Sequence, residues 1–98
     1  MCGATSGGLS VEGIDVTKEA VVQGVVLHAG QPVGGAYVRL LDSGGEFTAE
    51  VPTSATGHFR FFAAPGSWTL RVLAPGAATV DRSVVAEQGV VAEVEVSV

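Results

Sequence analysis

Residues 21–40 read VVQGVVLHAGQPVGGAYVRL, and the punctuation of that stretch decides the fold. Val21 through His28 is a short apolar run rich in β-branched residues, which read as a strand. Ala29-Gly30-Gln31-Pro32 then supplies glycine where positive φ costs little and proline where φ is preset, so the run ends in a hairpin turn. A second apolar run begins at Ala36. Gly24, inside the first run, marks a bulge or a close approach of another backbone.

The same grammar continues in both directions. Downstream, ATGHFRF over residues 55–61 and APGSWTLRVLAPG over 64–76 repeat the pattern of turn residues followed by alternating apolar positions. All four prolines, at 32, 52, 65 and 75, fall inside candidate turns, so no stretch between turns is long enough for a helix. Short strands at this spacing predict an all-β fold: one seven-stranded antiparallel sandwich of the Greek-key type. The strands are expected over 21–28, 36–42, 46–51, 58–63, 67–73, 79–86 and 90–97. Side chains two residues apart share a face of a strand. On that basis Val38, Leu40, Phe59, Phe61, Trp68 and Leu70 form the core, with the Trp68 indole N–H at its rim. Upstream, residues 1–19 are rich in glycine and serine with scattered apolar positions, and read as a flexible arm before a single domain over 20–98.

Composition bounds the rest. A chain of 98 residues is one domain, and 47% hydrophobic against 15% charged residues is the balance of a folding chain. The net charge of −5 argues against nucleic acid and anionic membranes as partners, since both demand clustered basic residues. Cys2 is the single cysteine, so no internal disulfide forms and a reducing compartment suits the protein. The first ten residues carry neither a basic region nor an apolar one of the secretory type, and the expectation is a cytoplasmic protein.

The order of these elements resembles the carboxypeptidase regulatory-like domain, a transthyretin-like (prealbumin-like) β-sandwich. The matching positions are Val22, Gly24 and Val26; Gly30-Gln31-Pro32-Val33; Gly35-Ala36 with Val38 and Leu40; Thr56-Gly57 with Phe59 and Phe61; and Pro65-Gly66 with Trp68, Leu70 and Val72. More narrowly, Val38 to Asp42, Glu46 to Val51, Ser54 to Gly57 and Phe59 to Arg71 look like a small actinobacterial family called sulfurtransferase-associated or SseC-like, whose members also begin Met-Cys. That resemblance implies a neighbouring sulfurtransferase of the rhodanese type as a protein partner.

Candidate site residues are few. Cys2, a thiol near the chain start with no basic neighbour in the arm, is a candidate sulfur acceptor. His28 and His58 stand at opposite ends of two different strands, and Asp42, Glu46 and Glu50 read as turn residues, so no metal site is assigned. No phosphate loop or nucleophile elbow occurs, and no cofactor is implied. If Val38 and Leu40 point inward, Tyr37, Arg39 and Leu41 point outward. By the same phase Arg60 and Phe62, with Val21, Val25 and Leu27, lie off the core. These are expected to share one outer face, apolar enough for an interface with a protein partner or a second copy. The leading functional reading is a non-catalytic accessory or interaction module. A persulfide carrier using Cys2 and a small-ligand binding sandwich are the alternatives.

Overall fold

The computed structural model describes residues 3–6, as backbone, and residues 20–98. Nine strands form two sheets: β1 (Gly3–Ser6), β2 (Ala20–His28), β3 (Gln31–Pro32), β4 (Tyr37–Leu41), β5 (Phe47–Pro52), β6 (His58–Ala63), β7 (Gly66–Leu73), β8 (Val80–Ala86) and β9 (Val91–Ser97). The first sheet runs β1-β6-β2-β3, with β9 also paired to β2; the second runs β5-β4-β7-β8. Between them Val22, Val26, Phe59, Phe61 and Val96 of the first sheet meet Val38, Leu40, Leu70 and Val72 of the second, all fully buried. The Phe59 and Phe61 rings lie 6.2 Å apart, tilted at 56°, inside the range where aromatic pairs attract.

The all-β sandwich is the expected fold class, and the expected core is present. Trp68 is half-buried against it and donates its indole N–H to the carbonyl of Ala64 at 2.8 Å, which satisfies the one polar atom of the ring. The close approach expected at Gly24 is made by β9. A Cβ built on Gly24 would stand 1.9 Å from the carbonyl oxygen of Val94. The first hairpin turn uses positive φ at both of its central residues, Ala29 at 50° and Gly30 at 79°, the geometry that matches the twist of the flanking strands.

Three expectations are corrected. Nine strands replace seven: β3 is a two-residue pairing, Gln31 with His28 and Pro32 with Leu27, too short to announce itself in a pattern. The sheets are not wholly antiparallel, because β9 runs parallel to β2 from Val21↔Val91 to Leu27↔Ser97. Alternation of side chains is the same in either direction, so sequence periodicity is blind to this. Finally, Gly3–Ser6, assigned to the flexible arm, is a strand on the edge of β6. Small residues there gave no apolar alternation to read. The remainder of the proposed arm, residues 1–2 and 7–19, lies outside the described residues.

Candidate functional site

The outer face of the second sheet carries a row of four charges, one per strand. Register aligns Glu50 of β5 with Arg39 of β4, Arg39 with Arg71 of β7, and Arg71 with Asp81 of β8. Cross-strand neighbours are close enough to interact. Arg39 Nε donates to Glu50 Oε2 at 2.6 Å. Arg71 grips Asp81 with two parallel bonds, Nε to Oδ1 at 2.9 Å and Nη2 to Oδ2 at 3.0 Å. The hydrogen bond from Arg71 holds the Asp81 carboxyl below its usual range, and the same bond raises Arg71. Two guanidinium groups therefore sit side by side in the middle of the face, with an acid on the outer flank of each. Around the row stand Tyr37, 50% exposed, Phe47, 62%, and Val85, 56%; three of the four large exposed hydrophobics among the described residues are thus on this sheet.

The outer face of the first sheet is built differently. Arg60 of β6, Gln23 of β2 and Glu93 of β9 are register neighbours across three strands. Arg60 Nε donates to Gln23 Oε1 at 3.0 Å, and Gln23 Nε2 donates to Glu93 Oε1 at 3.1 Å. Arg60 and Gln23 are only 5% and 4% exposed, and Arg60 Nη2 has no hydrogen-bond partner among the described residues. Beside this ladder a groove of about 280 Å³ is lined by Gly24, Val25, His58, Glu93, Val94 and Glu95. His58 Nδ1 is tied to Thr56 Oγ1 at 2.7 Å.

The expected single interface face therefore divides in two. Tyr37, Arg39 and Leu41 belong to the second sheet, whereas Arg60 and Phe62, with Val21, Val25 and Leu27, belong to the first. The outer surfaces of a sandwich face opposite ways, so the two groups do not make a contiguous patch. Alternation tells which side of its own strand a residue takes, and says nothing about which sheet the strand joins. Three of the residues are also buried. Arg60 is buried in the ladder, and Leu41 is 5% exposed at a register shift that places it opposite Phe47. Val21 is fully buried and Phe62 half-buried. Phe47 and Val85, which the sequence reading did not single out, join Tyr37 and Arg39 instead. Phe47 sits at the bulge, where alternation alone misplaces a side chain.

The remaining candidates are accounted for locally. Cys2 lies outside the described residues. Asp42 Oδ1 accepts from the backbone N–H groups of Gly44 and Glu46, both at 2.9 Å, which is turn chemistry. His28 Nδ1 lies 2.7 Å from the carbonyl of Val98. Among the described residues no three His, Cys, Asp or Glu side chains converge as a metal site. No described helix is long and apolar enough to cross a membrane.

Comparison with known proteins agrees with the fold. A family described as "Protein of unknown function (DUF1416)" matches residues 2–98. The uncharacterized protein Rv0814c of Mycobacterium tuberculosis is 61% identical over 75 residues, covering 74% of this chain and 75% of its own length. Among solved structures, the major pilin subunit of Bacillus cereus, BcpA, superposes with a TM-score of 0.70 at 20% identity; the match covers 82% of this chain but 28% of the pilin. The dioxygenase domain of a dioxygenase–carbohydrate-binding fusion from Streptomyces sp. SirexAA-E superposes at 0.65 with 13% identity, covering 96% and 88%. Identities this low establish a shared β-sandwich and nothing about activity. The link to a sulfurtransferase is carried by the sequence resemblance alone.

Proposed function

The chain belongs to the DUF1416 family, and from that footing we propose that it is a non-catalytic protein-interaction module of the cytoplasm that docks its partner on the outer face of the second sheet. One observation carries the reading: exposed Tyr37, Phe47 and Val85 surround a central pair of arginines. Aromatic residues and arginine are what interface centres favour, because they bring large contact area and directed hydrogen bonds at low conformational cost. The arginines call for a partner surface that presents carboxylates, and Tyr37 and Phe47 call for apolar pockets beside them. A rhodanese-type thiosulfate sulfurtransferase is the partner that the sequence resemblance implies.

Calorimetric titration of the purified protein against the thiosulfate sulfurtransferase of the same organism tests this. Saturable binding is expected, and Tyr37→Glu or Phe47→Glu should weaken it roughly tenfold or more while the fold stays intact. Absence of binding by the wild type removes the sulfurtransferase as partner. Binding that ignores both substitutions removes the face. Transfer of one sulfur mass to Cys2 in the same mixture, with thiosulfate present, would move the protein to the carrier class.

A further inference from the structure

Among the described residues, the edge of β6 away from β2 is completed only by β1, through the pairs Gly3↔Phe62, Ala4↔Phe61, Thr5↔Arg60 and Ser6↔Phe59. Without it, Phe59-Arg60-Phe61-Phe62 would form an open edge whose backbone donors and acceptors invite another strand. Among the described strands β1, of four residues, is hydrogen-bonded to β6 alone, and it also lies against β5 of the other sheet. We propose that the β6 edge is a strand-acceptor site, filled in cis by Gly3–Ser6 and able to take the same strand from a second copy of the chain. Addition of an extended segment to a sheet edge needs main-chain hydrogen bonds above all, and a donor of small residues such as Gly-Ala-Thr-Ser meets that edge without steric demand.

The chain path makes the exchange testable. Ser6 lies beside Phe59 on one side of β6, and Ala20 lies beside Ala63 on the other. Four residues along the strand and two strand spacings across it amount to about 16 Å. Thirteen residues, 7–19, are long enough to span more than twice that distance when fully extended, at about 3.5 Å each. A chain with residues 8–18 deleted has two residues for the same gap and a reach of only about 11 Å, too short for β1 to return to its own β6. The proposal expects this deletion to give a dimer in light scattering, with the amides of Phe59–Phe62 still protected from hydrogen exchange. A folded monomer overturns it.

A second measurement does not depend on the deletion. Successive N–H groups of a strand point to opposite sides, so Ala4→Pro with Thr5→Pro in the full chain necessarily removes one donor aimed at β6. Amide exchange at the β6 edge should accelerate at least tenfold. A peptide of residues 1–8, standing for the second copy's strand, should reverse this saturably, with NMR shifts confined to β6 and its neighbours. Wild type should need roughly tenfold more peptide, because its tethered strand competes at a local concentration on the order of mM. Unchanged exchange in the proline variant, or a peptide without effect on it, overturns the acceptor site.

Discussion

The carbonyl oxygen of Val94 occupies the space that a side chain at Gly24 would need: a Cβ there would stand 1.9 Å away, and the Phe59 ring closes the other side at 2.9 Å. Gly24 pairs with both Val94 and Phe59, so this one position sits where the parallel pair β2–β9 and the antiparallel pair β2–β6 meet over the core.

Gly24→Ala should therefore destabilise the domain by on the order of 3 kcal/mol, because the obstacle is backbone and cannot rotate aside. Gly44→Ala is the control. Its Cβ meets only Asp42 Oδ1 at 3.4 Å, and its effect should stay within about 0.5 kcal/mol. Urea titration of the two variants checks the contrast, and equal midpoints would sink it.

Ala29 holds φ at 50° in the two-residue turn before β3, a conformation that disfavours any residue with an ordinary Cβ. Asparagine tolerates it and forms, with the following Gly30, the pair these turns prefer. Ala29→Asn should raise stability by about 1 kcal/mol, read from thermal or urea unfolding of freshly prepared protein.

The ladder Arg60–Gln23–Glu93 hangs on its middle member, which accepts from one neighbour and donates to the other. Gln23→Ala strands both, and should cost about 1–3 kcal/mol. Arg60→Met keeps an apolar stem of similar length and removes a guanidinium whose Nη2 has no partner among the described residues, so it should lie within about 1 kcal/mol of wild type. A reversed order of the two midpoints would show that the arginine, not the glutamine, organises this face.

The Asp81 carboxyl, held below its usual range by Arg71, gives a pH dependence of fixed sign. A depressed folded pKa favours the native state above the ordinary aspartate value of about 3.9, and the gain disappears as pH falls through the folded value. Asp81 is 47% exposed at its side chain, so the effect is small and screened by salt. Carbon-detected NMR titration should place the Asp81 midpoint below the ordinary aspartate value, and Asp81→Asn should match wild type in stability only at the acid end.

Much of the core was legible because it obeys one local rule. Phe59 and Phe61, Val38 and Leu40, and Leu70 with Val72 each stand two residues apart, and every one is fully buried. Trp68 follows the same phase yet stays half-buried, its indole N–H drawn to the carbonyl of Ala64 at the sheet's end. The candidate face was legible only by halves. Tyr37 and Arg39 do point outward, but Arg60 and Leu41, in the same phase by count, are buried, one at the end of a cross-strand ladder and the other beside a bulge.

The amino-acid sequence alone settled that this chain is all-β, where most strands begin and end, and which alternate residues turn inward, because turn chemistry and two-residue periodicity act between near neighbours. Only the tertiary structure decided which strands share a sheet, that β9 joins β2 in parallel, and that Gly3–Ser6 closes the edge of β6. Those choices join residues as far apart as Gln23 and Glu93, and rest on hydrogen bonds between backbones, which every residue but proline can make on both sides and which therefore leave almost no mark on side-chain identity.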